Sequence, residues 1–269
     1  MSVELKGKRI LVTGPTGQVA RPLVAALAQH NEVFGLARFS KAEDREAIET
    51  LGARTIAADL GTGSLEQVPQ DLDYVLNLAV VKTGDWGYDM RANAEGVGRL
   101  MLRCRNVKAF LHCSSTAVYE YAGHEPRRED SPLGDNHRSM FPTYSIAKIS
   151  AETVARFTAH ELGTPTTIAR PSVPWYHLLM MQNRVPIDIH PERPNVYNPL
   201  HERDCLAKIP GLLAAATPEV TTVNFGGSQA VSIEQWRAYL QALTGFESAF
   251  HENPTALGST RIDTAPLPA

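Results

Sequence analysis

The 269-residue sequence has little cysteine, and this scarcity argues against two kinds of protein. Its three cysteines, Cys104, Cys113 and Cys205, cannot all pair and form no Cys-x-x-Cys motif. We therefore expect neither a disulfide framework nor a zinc site. The nine histidines are scattered without a His-Glu-x-x-His motif, so we expect no metal. Unpaired thiols suit a reducing compartment, which predicts a cytoplasmic protein.

Long apolar runs and a basic excess are also missing. No segment approaches the ~18 apolar residues that a membrane-spanning helix needs, and the charged first eight residues do not resemble a secretory signal. The 26 lysines and arginines are outnumbered by 29 aspartates and glutamates, for a net charge of −3. Because nucleic-acid binding needs a basic surface, we expect neither a membrane nor a nucleic-acid partner. The composition, 43% hydrophobic and 20% charged, is that of a soluble globular protein.

Short apolar runs alternate with amphipathic segments along the first 170 residues. Strands are predicted at residues 9–13, 33–37, 55–57, 74–78, 109–114 and 166–170, and helices at 17–30, 41–51, 90–105 and 143–161. Strands that are apolar on both faces and separated by helices are typical of a parallel sheet covered on each side. The sequence therefore predicts an α/β fold of Rossmann type, with a doubly wound parallel sheet.

The regular pattern ends near residue 171. Six prolines interrupt residues 171–199, after which helices at 204–216 and 232–243 flank a strand at 220–225. Ser232 and Gln235 fit a capping box at the start of the last helix. We predict a nucleotide-binding domain over residues 1–170 and a smaller substrate-binding lobe over residues 171–269, part of which returns to the sheet.

A glycine turn follows the first predicted strand. Gly14 and Gly17, followed by Ala20, give GxxGxxA spacing at the start of the first predicted helix. Gly14 permits a tight turn, and Gly17 lets a pyrophosphate approach the backbone at the positive end of the helix dipole. Since many turns between strand and helix use glycine, a purely structural turn is the alternative.

Polar residues at the ends of later strands favour a dinucleotide. Asp59 follows the third strand, where its carboxylate is suited to accept a hydrogen bond from an adenine amino group. Arg38 ends the second strand, and an arginine there favours a ribose 2′-phosphate over a 2′-hydroxyl. With Lys41 nearby, Arg38 predicts a preference for NADP over NAD. The alternatives are a turn residue at Asp59 and solvated loop charges at Arg38 and Lys41.

A phenol and an ammonium lie four residues apart at Tyr144 and Lys148. On a helix they share one face. The pKa of a tyrosine is ordinarily near 10, and a lysine charge nearby lowers it toward the range of a useful base. Ser115 and Thr116 close the fifth strand, where a hydroxyl is suited to donate to the substrate oxygen. Asn93, early in a long helix, is suited to hold a water beside Lys148, although it also fits an ordinary surface position.

The motifs taken in order are more specific than any one of them. TGxxGxxA, ADL, NLA, NxxG, SSxxVY, YxxxK and RP begin at Thr13, Ala58, Asn77, Asn93, Ser114, Tyr144 and Arg170. This set resembles the short-chain dehydrogenase/reductase superfamily, and most closely its extended branch, the NAD-dependent epimerase/dehydratase family.

The resemblance implies roles for individual residues. Tyr144 is the expected acid/base, Lys148 its electrostatic partner, and Ser115 the hydroxyl that orients the substrate, with Ser114 as the fallback. Asn93 is the implied fourth member. The predicted cofactor contacts are Gly14, Thr16, Gly17, Gln18, Val19, Arg38, Asp59, Leu60, Leu78, Ala79, Lys148, Arg170 and Pro171, and the predicted substrate contacts are Ser115, Thr116, Tyr144 and Trp175.

The expected activity is that of an NAD(P)-dependent oxidoreductase, which moves a hydride between a nicotinamide and a carbinol or carbonyl carbon of a small molecule. A redox-neutral epimerase or dehydratase of a nucleotide sugar is the first alternative. Val173 counts against it, because nucleotide-sugar members usually carry an asparagine there. A non-catalytic NAD(P)-binding sensor is the second alternative, which the intact set of Ser115, Tyr144 and Lys148 disfavours. Members of this family commonly dimerise through the helices that carry Asn93 and Tyr144, which implies a homodimer.

Overall fold

A seven-stranded, mostly parallel sheet forms the centre of the fold. The structure, a computed structural model, describes residues 2–135, 142–172 and 176–264. The described strands are β1 (Arg9–Thr13), β2 (Glu32–Ala37), β3 (Arg54–Ala57), β4 (Tyr74–Asn77), β5 (Ala109–Cys113), β6 (Thr166–Pro171), β7 (Ile187–Ile189), β8 (Val196–Tyr197), β9 (Thr221–Phe225), β10 (Val231–Ser232) and β11 (Phe250–Glu252). The described helices are α1 (Ala20–Leu27), α2 (Ala42–Thr50), α3 (Trp86–Met90), α4 (Gly96–Arg103), α5 (Tyr144–Leu162), α6 (Tyr176–Gln182), α7 (Glu202–Ala214) and α8 (Ile233–Thr244), with a π-helical turn at Arg91–Glu95 and a 3-10 turn at Thr116–Val118.

The order of strands fixes where a ligand crevice opens. The order is β3-β2-β1-β4-β5-β6-β9, and the pairings from β3 through β6 are all parallel. This confirms the predicted Rossmann-type sheet. The chain leaves β1 toward one edge and returns to build the other edge from β4, so the carboxyl ends of β1 and β4 flank a topological switch point, where ligands bind in open α/β sheets.

Small residues let two helices pack closely within the sheet's hydrophobic core. Ala151, Ala155 and Ala159 recur every four residues along α5 and are fully buried. On α4, a Cβ added to Gly98 would lie only 2.9 Å from Val154 Cγ1. Because these positions carry little or no side chain, the helices approach within the distance that backbone packing permits. Alanine also has the highest helix propensity, which favours the long helix α5.

Most predicted elements are present, with two informative differences. The predicted helix at residues 90–105 begins earlier, at Trp86, and is interrupted by the π-helical turn before α4. Helix α6 and the short strands β7 and β8 lie in the proline-rich region, where the sequence showed no regular pattern. Proline removes backbone donors and breaks periodicity, so short elements between prolines leave little signal.

The chain forms two compact units that alternate along the sequence. The sheet unit comprises Met1–Ser114, Ala147–Ala169 and Glu202–Val223, and the second unit comprises Ser115–Ile146, Arg170–His201 and Asn224–Ala269. The single division after residue 170 stays a prediction, and one of these crossings falls between Ala169 and Arg170. The others arise because residues 115–146 belong with the later segments, while α7 and much of β9 return to the sheet.

The second unit has its own small core. Strand β7 pairs in parallel with β11, and β8 pairs antiparallel with β10. Ile187, Ile189 and Leu240 are buried in this core. Helix α8 begins at the predicted capping box, in which Ser232 Oγ accepts from the Gln235 backbone and the Gln235 side chain accepts from the Ser232 backbone. The cap supports this short helix by satisfying two of its otherwise unpaired terminal N–H groups.

Buried His177 in the second unit makes stability depend on pH. Burial lowers its pKa from about 6.5 to about 4, so the unfolded chain binds a proton more readily between these values and the folded state loses stability as the pH falls below 6.5. Between about pH 7 and pH 5.5, this one group is expected to remove about 1 kcal/mol from the free energy of unfolding. Urea denaturation at the two pH values measures the loss.

His177→Leu is the comparison for this prediction, because it removes the titrating ring and keeps an apolar side chain. Between the two pH values, the free energy of unfolding of the variant should fall by about 1 kcal/mol less than that of the wild type. If both proteins lose equal stability, His177 is not a source of the acid sensitivity.

Candidate active site

The hydroxyl of Thr13 joins the carboxyl ends of β1 and β4. Its Oγ1 accepts hydrogen bonds from the backbone N–H groups of Leu78 and Ala79, at 3.1 and 3.0 Å. Its proton is donated to Asn77 Oδ1 at 2.7 Å. The first residues beyond β4 are thereby held beside the start of the glycine turn, so the crevice at the switch point has a fixed wall.

The glycine turn requires glycine at its first position. Gly14 has a φ of +62°, a conformation that side chains rarely adopt. A Cβ added there would also lie 2.9 Å from Ala79 Cα. The turn is closed by hydrogen bonds from Gly14 N to Leu36 O at 2.9 Å and from Gly17 N to Gly14 O at 3.0 Å. The backbone at Gly14 therefore lies directly against the end of β4.

A cleft of about 240 Å³ opens over this turn. Six predicted cofactor residues line it: Gly14, Thr16, Arg38, Asp59, Leu60 and Ala79. Gly17, Gln18 and Val19 lie in the turn that precedes α1. Asp59 is oriented by the Gly61 backbone, whose N–H donates to Oδ1 at 2.7 Å. A glycine cradle that a Cβ would fill, next to a fixed carboxylate, fits the phosphate and adenosine portions of a dinucleotide.

Lys148, on α5, is a buried cation whose side chain reaches the end of β5. Its side chain is 3% exposed, and Nζ donates to the carbonyl oxygen of Cys113 at 2.6 Å. Burial lowers its pKa below the ordinary value, and the Lys82 charge acts in the same direction, whereas Cys113 and Glu152 oppose the shift. The ammonium is therefore fixed in direction by β5 rather than by solvent.

The two candidate serines have different surroundings. Ser114 is buried and its Oγ donates to Glu152 Oε1 at 2.5 Å, so its proton is already used. Ser115 caps the 3-10 turn, with its Oγ accepting from the backbone N–H of Ala117 at 3.1 Å. That bond leaves the Ser115 proton available, which favours Ser115 over Ser114 as the hydroxyl that orients a substrate.

Tyr144 and Ser115 belong to the same unit, and a hydrogen bond between residues next to them joins the two segments. Tyr144 is the half-buried first residue of α5. The next residue, Ser145, donates from Oγ to the carbonyl oxygen of Ala117 at 2.8 Å, within the turn that Ser115 caps. The start of α5 is thus fixed to the turn after β5. Lys148 follows Tyr144 by one turn along the same helix.

Asn93 holds the loop that follows β4. It lies in the π-helical turn, where its amide accepts from the Val81 N–H and donates to the Val81 carbonyl, each at 2.8 Å. A role in holding water beside Lys148 stays a prediction.

Buried Asp89, which the sequence analysis did not single out, fixes the same loop by accepting from Thr83 N at 3.1 Å and Gly84 N at 3.0 Å. Bonds to backbone groups across a loop leave no spacing signal, so Asp89 could not be found from the sequence.

Arg170 lies in a buried polar cluster of the second unit. Its Nη1 donates to Tyr119 Oη at 2.9 Å and to the carbonyl oxygen of Glu129 at 3.0 Å, and its guanidinium lies 4.8 Å from the centre of the Tyr119 ring. Its predicted cofactor contact, and that of Pro171, stay predictions. Thr116 is buried in its turn, and Trp175 lies outside the described residues.

Two kinds of feature are absent from the described part of the chain. No helix among those residues is both long and apolar enough to span a membrane. The same residues contain no group of three or more histidine, cysteine or carboxylate side chains arranged to hold a metal ion.

Gly14→Ala is expected to weaken dinucleotide binding at least tenfold, because the added Cβ meets Ala79 Cα in the cleft wall. Gly7→Ala is a matched control: Gly7 has a similar φ of +64° with no atom within 4 Å of its added Cβ. Both variants carry about 1 kcal/mol of backbone strain, but only Gly14→Ala should lose affinity in a calorimetric titration. Equal affinities for the two variants would contradict the assignment of the turn.

Solved structures of UDP-sugar epimerases share the fold. UDP-glucuronic acid 4-epimerase from Bacillus cereus, in complex with NAD, is 22% identical, with a TM-score of 0.78 over 95% of this chain and 89% of that chain. UDP-N-acetylglucosamine 4-epimerase from Methanobrevibacter ruminantium M1 is 20% identical, with a TM-score of 0.77 over 96% and 90%. UDP-glucose 4-epimerase from Thermotoga maritima is 19% identical, with a TM-score of 0.73 over 95% and 89%. No curated protein sequence matches the chain.

The predicted preference for NADP is wrong, because similar complexes contain NAD. The prediction depended on Arg38 being available at the end of β2. In the structure Arg38 Nη1 donates to Tyr88 Oη at 3.0 Å, so the guanidinium has a protein partner that the strand-end rule does not consider.

The family model for the NAD-dependent epimerase/dehydratase family matches residues 10–175. This range includes the glycine turn, Asp59, Ser115, Tyr144 and Lys148, and it covers more than half of the chain. The protein belongs to the NAD-dependent epimerase/dehydratase family.

Proposed function

We propose that this protein is an NAD-dependent, redox-neutral epimerase of a nucleotide sugar. The observation that carries the proposal is the extent of the structural match, since the UDP-glucuronic acid 4-epimerase fold covers 95% of this chain and 89% of its own. The match therefore includes the second unit as well as the sheet. The glycine cradle and Asp59 supply the fit to NAD on this chain's own residues.

The proposed chemistry needs a proton carrier and an oriented hydroxyl at one carbinol carbon. When bound, the nicotinamide supplies a reversible hydride acceptor. Tyr144 Oη takes the proton from the carbinol oxygen as the carbonyl forms and returns it when the carbonyl is reduced. Ser115 donates to the same oxygen, which keeps it directed at the phenol. Because a carbonyl is planar, its reduction on the opposite face would invert the carbon.

Lys148 supplies a fixed positive charge to this chemistry. A cation favours the ionised form of a phenol, so Lys148 lowers the proton affinity of Tyr144. Its bond to the Cys113 carbonyl fixes the position of Nζ.

The test is turnover of UDP-glucose, UDP-glucuronic acid and UDP-N-acetylglucosamine with substoichiometric NAD, followed by nuclear magnetic resonance of the sugar. A redox-neutral epimerase produces the epimer beyond the amount of NAD, without accumulation of reduced nicotinamide. Stoichiometric growth of the reduced-nicotinamide absorbance would instead establish a net oxidoreductase. If NAD binds but neither the epimer nor reduced nicotinamide accumulates, the result would favour a non-catalytic sensor.

Tyr144→Phe is expected to reduce kcat by about 100- to 10,000-fold, because it removes the proton carrier, while affinity for NAD stays the same. Tyr239→Phe is the matched control, since this tyrosine is 59% exposed on α8 and the chemical change is identical. Full activity of Tyr144→Phe would refute the proposed acid/base.

We also propose a homodimer formed through α4 and α5. Leu102 and Phe157 are large apolar side chains on these helices and are 58% and 68% exposed. The close packing of Gly98 against Val154 puts the two helices side by side. Two exposed apolar groups on adjacent helices supply the apolar core that an isologous interface requires.

The double variant Leu102→Glu and Phe157→Glu is expected to be monomeric, because dimerisation would bury its added charges. Light scattering after size-exclusion chromatography measures the mass. Leu243→Glu is the control, as Leu243 on α8 is similarly exposed at 64% and should leave the mass unchanged. A wild-type protein that elutes as a monomer would contradict the proposed dimer.

A further inference from the structure

The hydroxyl of Tyr88 bridges the two polar side chains that the sequence analysis assigned to the adenosine end of the cleft. Tyr88 Oη accepts from Arg38 Nη1 at 3.0 Å and donates to Asp59 Oδ2 at 3.0 Å. The directions are fixed, since a guanidinium can only donate and an ionised carboxylate can only accept. Arg38 and Asp59 both line the cleft, so their charges are coupled through one tyrosine.

Tyr88 is itself held in place by its own helix and by the loop after β3. Asp85 caps α3, with Oδ1 accepting from the Tyr88 backbone N–H at 2.8 Å. The ring lies against Gly61, where an added Cβ would be 2.9 Å from Tyr88 Cε2. Burial raises the pKa of Tyr88, and the Asp59 carboxylate raises it further, so the phenol keeps the proton that it donates. Tyr88 therefore has a fixed position, and its hydroxyl holds the Arg38 guanidinium there.

The backbone next to Arg38 is also constrained. Phe39 has a φ of +45°, which is uncommon for a bulky residue and costs of order 1 kcal/mol. Phe39 lines the same cleft. A left-handed residue immediately after Arg38 turns the chain sharply at the end of β2, so the direction in which the arginine leaves the strand is set by the fold as well as by Tyr88.

We propose that Tyr88 determines the preference for NAD over NADP by tying Arg38 to Asp59. A free arginine at the end of β2 would pair with a ribose 2′-phosphate. When the guanidinium is bound to Tyr88, it lies one hydroxyl away from a carboxylate that attracts it and repels the dianionic phosphate. The 2′-hydroxyl of NAD has no charge and meets no such penalty. This inference rests on the proposed use of NAD.

The test compares binding of NAD and NADP to the wild type and to Tyr88→Phe by calorimetric titration. The variant keeps the ring against Gly61 and removes only the bridging hydroxyl. Its affinity for NADP relative to NAD is expected to rise about three- to tenfold, the range that corresponds to losing one hydrogen bond of typical net strength. Tyr239→Phe, on the exposed face of α8, should leave the ratio unchanged.

The expected increase in relative affinity for NADP must depend on Arg38. In the double variant Tyr88→Phe, Arg38→Ala the relative affinity for NADP should return to the wild-type value, because no guanidinium remains to be released. A gain that survives the loss of Arg38, or a ratio in Tyr88→Phe within twofold of the wild type, would overturn the proposal. Asp59→Asn, which removes the competing charge without changing shape, should shift the ratio in the same direction and serves if Tyr88→Phe folds poorly.

These outcomes are separable from a failure of the proposed function. If the wild type binds neither dinucleotide, the NAD site itself is refuted and Tyr88 has nothing to select. If the wild type binds NAD and turns over no sugar nucleotide, the epimerase proposal fails while the measured ratio still decides the role of Tyr88. Melting temperatures of all variants establish that affinities are compared between folded proteins.

Discussion

One hydroxyl at the end of β1 sets the direction of a buried hydrogen-bond chain across three strands. Thr13 Oγ1 accepts from two backbone N–H groups beyond β4, so its single proton must go to Asn77 Oδ1. The other end of that amide is then a donor, and it faces His112 Nδ1 at 3.0 Å. Each donor and acceptor in the chain follows from the one before it, and the chain ends at His112 Nε2, a buried atom that has no hydrogen-bond partner among the described residues.

This chain connects the crevice at the switch point to β5, the strand that positions Lys148. His112 must accept at Nδ1, so its proton lies on Nε2 and the ring is neutral. Burial lowers its pKa well below the ordinary value, and the charge of Lys148 acts in the same direction. The next residue on β5, Cys113, supplies the carbonyl that holds Lys148. The neutral His112 ring therefore adds no second positive charge beside Lys148.

The sheet was predictable because its strands are short apolar runs that local composition reveals. The glycine turn was predictable as well, since its requirement for glycine is a property of the backbone at Gly14. The NADP preference failed for a different reason. Arg38 is bound by Tyr88, which is 50 residues away in the sequence, and a rule based on the end of one strand contains no information about it.

The finer parts of the site depend on contacts of the same long-range kind. The SSxxVY motif predicted Ser115, with Ser114 as the fallback. In the structure, the bond from Ser114 to Glu152 distinguishes the two serines. Asn93 was predicted from its place early in a long helix and from the resemblance, whereas its bonds to Val81 come from a π-helical turn that hydrophobic periodicity does not encode. Sequence patterns thus predicted which residues carry the chemistry, and hydrogen-bond partners distant in the chain determine which donors and acceptors each of those residues has available.

The π-helical turn between α3 and α4 has a mechanical consequence. A π turn contains one residue more than an α turn, and each residue of an α-helix rotates the next by about 100°. That surplus residue sets the angle at which Asp89 projects relative to α4, which is anchored by the close approach of Gly96 to the Leu60 carbonyl. Deleting a single residue from Arg91–Glu95 would swing Asp89 around the helix axis and release the loop after β4. The position of the loop after β4 therefore depends on the number of residues in the π-helical turn.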